Sequence, residues 1–283
     1  MLKKVINKLK KETKNLLEKK KLPDYFKSNQ LAWNTVAPLH QAANHQSLLK
    51  EVQQQKYSCL NQNQITALNE IGVKNKKVFQ PACNNGIELI SIKKMGAKEC
   101  VGFDIAEKFI LQAQELGKSA NVDCQFVQKN FFDISDKLKN HFDLVFVSVG
   151  TLPWMLDLNK FIKNSNKLLK KSGYIVINEM NPLLHCLNYE STIEKIKIDR
   201  SYFADQLDVN NISLDYYKHS KYKVPTQYCK YHTLAEIINT LIKNKFKINL
   251  YNEYPDDPSL SFQKLTRSNK KLPMSYTIIA QKI

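Results

Sequence analysis

The sequence predicts an α/β protein built on a doubly wound, mostly parallel sheet, and three observations predict it. A short apolar run, Val78-Phe79, leads through Gln80-Pro81 into a turn of small and polar residues, Ala82-Cys83-Asn84-Asn85-Gly86. An apolar-periodic segment with Ile87, Ile90, Ile92 and Met95 follows and ends at Gly96, which reads as strand, tight loop, helix. A second apolar run, Glu99 to Phe103, stops on Asp104, 18 residues beyond Gly86. That is where the acid of a dinucleotide-type βαβ unit accepts the ribose hydroxyls. The third observation is Phe142-Asp143-Leu144-Val145-Phe146-Val147-Ser148, nearly unbroken in apolarity, as a strand covered on both faces must be.

In chain order, residues 1–20 set Leu2, Val5, Ile6, Leu9, Leu16 and Leu17 among lysines, an amphipathic basic helix that Pro23 ends. It either lies on an anionic surface or packs on its own domain. Trp33 and His40 follow in a segment too short for a core, where they either fold over a ligand pocket or anchor the preceding helix. Residues 1–58 read as a helical cap and 59–283 as the main domain. Helix 59–72 comes first, then strand 77–82, helix 86–95 and strand 99–104. Helix 106–117 stops at Gly117. Strands 123–127 and 142–148 follow, and helix 157–170 is capped by Lys170-Lys171-Ser172-Gly173. The strand from Tyr174 to Ile177 ends in Asn178-Glu179-Met180. Strands alternating with helices imply parallel pairing with right-handed crossovers. Residues 183–231 break the alternation and hold seven tyrosines, Tyr189, Tyr202, Tyr216, Tyr217, Tyr222, Tyr228 and Tyr231. A long aromatic insertion after a sheet strand suggests a lid. Thr233-Leu234-Ala235-Glu236 spells a capping box before a helix to Asn244. Two terminal strands, about 246–253 and 274–282, read as a hairpin-like return at a sheet edge.

Composition narrows the function. The chain has 283 residues, 43% of them hydrophobic and 24% charged, enough for one large domain. No apolar run is long enough to span a membrane and no apolar signal core is visible, so the chain reads as cytoplasmic. Six cysteines without paired C-x-x-C spacing read as buried thiols, and no metal site is expected. The formal charge is +17. Such a surplus serves nucleic acid or is solvated surface lysine; arginine, the preferred bidentate reader of phosphates and bases, occurs only at Arg200 and Arg267, which argues against a nucleic-acid partner.

These motifs together resemble the class I S-adenosylmethionine-dependent methyltransferases, over about residues 77–182. Gln80 to Gly86 stands at the family's motif I, with Gly86 its only glycine, and Asp104 at the acid closing strand two. Asn130 stands where an acid or amide meets adenine, and Phe142 to Gly150 at the post-strand-four motif. Leu168 to Gly173 stands at the turn before strand five. Cys83 to Leu89, Leu152 to Leu158, Trp33-Asn34 and His232 look closer still to a bacterial subgroup of small-molecule methyltransferases. The resemblance implies a Rossmann-like, seven-stranded sheet with its last strand antiparallel, an N-terminal helical segment and a lid insertion at about 183–231.

It also implies roles. S-adenosylmethionine is the cofactor and S-adenosylhomocysteine its product. Asp104 takes the ribose hydroxyls. Gln80, Ala82, Cys83, Asn84 and Gly86 surround the methionine moiety. Ile105 and Phe131 sandwich adenine, with Asn130 or its neighbour at the amino group. Ser148 and Val149 border the sulfonium. Glu88 is either a helix-surface carboxylate or a partner for the cofactor's ammonium. His232 and His185 are the candidate general bases or are structural. Trp33, His40, Trp154, Tyr216 and Tyr217 line an acceptor pocket or pack. The expected partner is a small, aromatic or heterocyclic acceptor. The alternatives are an RNA or protein methyltransferase and a cofactor-binding protein without catalysis. Oligomeric state is left open.

Overall fold

The computed structural model describes residues 24–218, 220–259 and 261–283, so the helix expected over residues 1–20 and its stop at Pro23 lie outside the described residues. The first described element is α1, Tyr25–Glu51, whose N-cap Asp24 accepts from the Lys27 N–H at 3.2 Å. It continues through Pro38, which removes one backbone donor from its interior. Its buried residues Asn29, Ala32, Val36, Ala37, His40, His45 and Leu48 recur largely at helical spacing. Helix α2, Gln62–Glu70, starts on a reciprocal capping box between Asn61 and Gln64. Then come β1 (Lys77–Pro81), α3 (Ile87–Lys94), β2 (Glu99–Asp104), α4 (Glu107–Ser119), β3 (Cys124–Gln128), β4 (Phe142–Val147), α5 (Leu158–Leu168) and β5 (Leu169–Met180). The insertion carries a short antiparallel pair, β6 (Asp208–Asn210) and β7 (Gln227–Cys229). The chain continues through α6 (Leu234–Lys243), β8 (Phe246–Tyr254), α7 (Gln263–Thr266) and β9 (Ser275–Lys282).

The main sheet has seven strands in the order β3-β2-β1-β4-β5-β9-β8. Strands β1 to β5 pair in parallel, and β9 runs antiparallel to both β5 and β8. This is the seven-stranded sheet with an antiparallel last strand that the resemblance implied. The alternation along each strand sorts the two faces. Phe79, Val145, Ile175 and Ile278 pack with α5 and α6 through Phe161, Ile162, Ile237 and Leu241. Val78, Leu144, Val176 and Ile279 pack with α2, α3 and α4 through Leu68, Ile90 and Ile110. Each such buried side chain contributes about 1.5–3 kcal/mol. Strand order reverses between β1 and β4, so the crevice beyond their carboxyl ends is where this architecture binds ligands.

Three local expectations are corrected. Helix α4 does not stop at Gly117 but runs to Ser119. A Cβ at Gly117 would stand 3.2 Å from the Phe126 ring, so the glycine serves close packing, and the chain turns at Asn121 with φ 52°. Residues 170–173 do not cap α5 but open β5. There the left-handed residue is Ser172, and a Cβ at Gly173 would meet the Lys170 carbonyl at 3.0 Å. The Thr233 capping box is half made: Thr233 accepts the Glu236 N–H at 3.1 Å, while the Glu236 carboxylate turns to Lys230 and His232. The terminal strands pair as the expected hairpin-like return at a sheet edge: β8 is the edge strand and β9 lies between it and β5.

Candidate active site

The carboxyl ends of β1, β2 and β4 open into a cavity of about 510 Å³, a size suited to a cofactor-sized ligand. Its floor is the loop between β1 and α3. Ala82 and Asn84 take positive φ, both 49°, and Gly86 takes 75°. The left-handed turn is thus made with one glycine, Asn84 and a strained Ala82. Cys83 donates its N–H to the Phe103 carbonyl at 2.9 Å, tying the loop to β2. Gly102 lets this happen, since a Cβ there would stand 2.8 Å from the Cys83 sulfur. Asp104 completes the tie: its Oδ2 accepts the Asn84 N–H and its Oδ1 the Ala106 N–H, each at 2.9 Å.

Two carboxylates face this cavity, Asp104 and Glu88. Glu88 enters from the first turn of α3 and accepts from Gln80 Nε2 at 2.6 Å and from Gln64 Nε2 at 3.4 Å. Burial raises the pKa of both groups, and their hydrogen bonds from neutral donors only partly offset it. Among the described residues neither forms an ion pair. The floor therefore favours a ligand that brings positive charge and hydrogen-bond donors. Burial pushes the Cys83 thiol well up, so this cavity cysteine offers no thiolate at neutral pH.

A third acid, Glu179, lies at the end of β5 and is 3% exposed. Its carboxylate accepts the backbone N–H groups of Gly150 at 2.7 Å, Met180 at 2.9 Å and Leu152 at 3.2 Å. It thereby holds the loop after β4, which brings Ser148, Val149, Gly150, Thr151 and Trp154 to the cavity wall. Burial drives its pKa to about 7 against the pull of those donors.

The roof is aromatic. Trp33 of α1 packs edge-on against Trp154 at 5.2 Å between centroids and against Phe109 at 6.0 Å. His40, two helical turns further on, meets Tyr216 at 4.3 Å and Tyr217 at 4.9 Å. The insertion is fastened to α1 by a reciprocal pair: Asn29 Nδ2 donates to the Tyr228 carbonyl and the Tyr228 N–H donates to Asn29 Oδ1, both at 2.8 Å. Ser28 Oγ adds a bond to the Thr226 carbonyl at 2.6 Å.

Most of the residues singled out in the sequence meet here. Ala82, Cys83, Asn84, Asp104, Ile105, Asn130, Phe131, Ser148 and Val149 line the cavity, as do Trp33, His40, Trp154, Tyr216 and Tyr217. Gln80 does not line it; it is fully buried behind Glu88 and Ser148, donating to both. Gly86 does not line it either. A Cβ there would stand 2.5 Å from the Phe126 ring, so this glycine answers to packing. Phe131 lines the cavity while only 3% exposed, with its ring also against Phe79 and Phe161 in the core.

Neither candidate base lines the cavity. His232 lies outside the cavity lining; its Nε2 donates to the Met155 carbonyl at 3.0 Å and its Nδ1 stands 3.2 Å from Glu236 Oε2. His185 packs on Tyr231 at 4.3 Å, with Arg200 at 4.6 Å from that same ring. Burial and Arg200 lower its pKa to about 4. Sequence reasoning missed Glu179 and Asn29 and left Glu88 undecided. Glu179 had a signal, an acid closing the apolar run Tyr174–Ile177. Asn29 had one only as a polar residue at the helical spacing of Ala32 and Val36.

The switch-point crevice, the loop tied to an acid at the end of β2 and the antiparallel last strand define the class I methyltransferase architecture. A family model described as "Methyltransferase domain" matches residues 73–247. The chain belongs to this family, the S-adenosylmethionine-dependent methyltransferases that its motifs resemble. A Methanocaldococcus jannaschii protein named "Putative protein N5-glutamine methyltransferase" is 27% identical over 149 residues, spanning 46% of this chain and 72% of that protein. The crystal structure of an S-adenosylmethionine dependent methyltransferase from Mesorhizobium loti superposes with a TM-score of 0.58 at 18% identity, over 77% of this chain and 96% of that one. The 4+2 cyclase SpnF superposes with a TM-score of 0.59 at 12% identity, over 92% and 96%. At such identities these two similarities speak for the fold alone.

Proposed function

We propose that this chain transfers a methyl group from S-adenosylmethionine to a small aromatic or heteroaromatic acceptor held beneath α1 and the insertion. The observation that carries this is the division of one cavity into a floor with two unpaired carboxylates and a roof of aromatic rings. S-adenosylmethionine fits that floor, because it is a cation with a ribose diol and an ammonium group. Asp104 would accept from the ribose hydroxyls and Glu88 from the ammonium. Backbone groups of Ala82, Cys83 and Asn84 would face the methionine moiety, while Ile105 and Asn130 border adenine. Ser148 and Val149 would flank the sulfonium.

When bound, this cofactor supplies a methyl carbon already activated by a positively charged sulfur. The chain's own task is to orient the acceptor and to exclude water. Trp33, Trp154, Phe109, Tyr216 and Tyr217 would grip a flat ring by stacking and edge contacts, each pair adding about 0.5–1.5 kcal/mol beyond its buried area. The segment up to residue 58 acts as the cap on a methyltransferase domain over 59–283, and the insertion acts as its lid. Among the described residues no helix is long and apolar enough to cross a membrane.

A second reading, a protein acceptor, is favoured by the Methanocaldococcus relative. One experiment separates the two: release of S-adenosylhomocysteine with a panel of phenols and nitrogen heterocycles, set against unfolded and folded protein substrates. Turnover with the small rings supports the proposal. Turnover confined to protein substrates overturns it. RNA filter binding at about 0.15 M salt is expected to be micromolar or weaker, as for non-specific contacts; tight, structure-selective binding would mean that the +17 charge serves an RNA substrate.

A further inference from the structure

The sequence pointed to His232 and His185 as bases, and neither lines the cavity. His40 does, and it is 3% exposed. Its Nε2 lies 3.0 Å from the Leu214 carbonyl. A carbonyl only accepts, so Nε2 carries the ring's hydrogen, and in the neutral imidazole Nδ1 keeps a free lone pair. Nδ1 is itself buried and, among the described residues, has no hydrogen-bond partner; the half-exposed Tyr216 and Tyr217 against the ring must shift for an acceptor to reach it. A buried, unpaired acceptor is destabilising, and a ligand's donor would relieve it.

We propose that His40 is the general base of the reaction, its Nδ1 taking the proton from an acidic O–H or N–H on the aromatic acceptor. This rests on the acceptor class inferred above. The acceptor's lone pair forms the new bond to the methyl carbon, and the pair of the breaking carbon–sulfur bond stays on sulfur. The acceptor's proton passes to Nδ1, giving an imidazolium that later yields it to water. The setting suits this step. Burial holds the His40 pKa below its usual value, against smaller opposing pulls from the Leu214 carbonyl and Asp215, so the ring is neutral at neutral pH. Tyr216 and Tyr217 stand over the ring. Asp215 fixes the turn that carries Tyr217, accepting the N–H groups of Tyr217, Lys218 and Ser220 at 3.2, 3.2 and 3.0 Å. Those donors hold its carboxyl down to about 2, so Asp215 stays ionised through the working range. Phe109 lies beside the ring at 5.7 Å between centroids.

The test uses the full chain saturated with S-adenosylhomocysteine. Nitrogen-15 spectra of the imidazoles, with His40→Gln assigning the resonance, are expected to show His40 protonated at Nε2 alone from about pH 6.5 to 8. Protonation at Nδ1 instead would overturn the proposal. 4-Nitrophenol is then titrated in near pH 6, where the free phenol is mostly neutral, and phenolate absorbance is followed. The native protein is expected to raise the ionised fraction of bound probe several-fold, while His40→Gln binds the probe and leaves it neutral. Equal ionisation in both proteins would overturn His40 as the base. Failure of the probe to bind the native protein, with the adenosylhomocysteine affinity intact, would overturn the aromatic acceptor and His40's role together.

Discussion

The floor and the roof of the cavity are held by different kinds of contact. The floor is main chain: the loop after β1 is fixed to β2 by the Cys83 N–H on Phe103 and by Asp104 on two backbone N–H groups. The roof is side chain: Asn29 on Tyr228, Ser28 on Thr226, His40 on Leu214, and edge-on rings. Floor residues Cys83 and Asn85 are buried, whereas Tyr216 and Tyr217 in the roof are 53% and 43% exposed. The difference teaches a division of labour. A floor set by backbone geometry can hold one cofactor in any relative that keeps the turn. A roof set by side chains can be refitted to one acceptor without touching the floor.

The comparison can be broken first at Gly86. A methyl there meets Phe126 at 2.5 Å in a backbone with φ 75°. Overpacking and left-handed strain each cost about 1–3 kcal/mol, so Gly86→Ala is expected to lower stability by about 2–6 kcal/mol in urea unfolding. A loss below about 1 kcal/mol would mean that the floor is softer than its bonding suggests.

Glu179 sharpens the comparison where the two regions meet, since it holds the loop that carries Trp154. Its folded pKa of about 7 lies above the usual 4.5, so the folded chain binds this proton more tightly than the unfolded one. The stability it confers is full below about 4.5 and is lost as pH rises through 7, by at most on the order of 3 kcal/mol. Thermal unfolding is expected to weaken from pH 5 to 8 in the native protein and to lose that part of its slope in Glu179→Gln. An unchanged slope in the variant would place the ionised carboxylate at ease among its three N–H donors.

A smaller effect is expected at the roof. Asn29→Ala strips the Tyr228 amide and carbonyl of their partners, at about 1–3 kcal/mol of local opening. Amide exchange at Tyr228 should quicken accordingly while the strands β1 and β4 keep their protection. Unchanged exchange at Tyr228 would show that the aromatic contacts alone fasten the insertion.

The floor was legible in the sequence because its determinants are local. The turn Ala82–Gly86, the acid at Asp104 and the run Phe142–Val147 fall within short windows, and the strands formed where those windows put them. The roof was legible only as a composition. Asn29 and Tyr228 are 199 residues apart, and His40 and Leu214 are 174 apart; no window contains both partners. The same blindness set two histidines at the cavity that do not line it. His232 and His185 were judged by their nearness to strand ends, but what decides a histidine's work is which atoms meet its nitrogens. The helical stripe Ala32, Val36, Ala37 did carry one usable sign, because it points His40 inward too.

Calorimetric titration of S-adenosylhomocysteine tests the division into floor and roof most directly. The proteins to compare are the native chain, Asp104→Ala, Asp104→Asn as a variant that keeps an oxygen for the loop, and a Tyr216→Ala/Tyr217→Ala double variant. The account predicts that Asp104→Ala weakens binding by about 2–4 kcal/mol, through loss of charge-assisted hydrogen bonds to the ribose, and that Asp104→Asn weakens it by a large part of that. The double variant should stay within about threefold of native, a change of less than 1 kcal/mol. Native affinity in both Asp104 variants, or a cofactor affinity that collapses when the two tyrosines are removed, would contradict it.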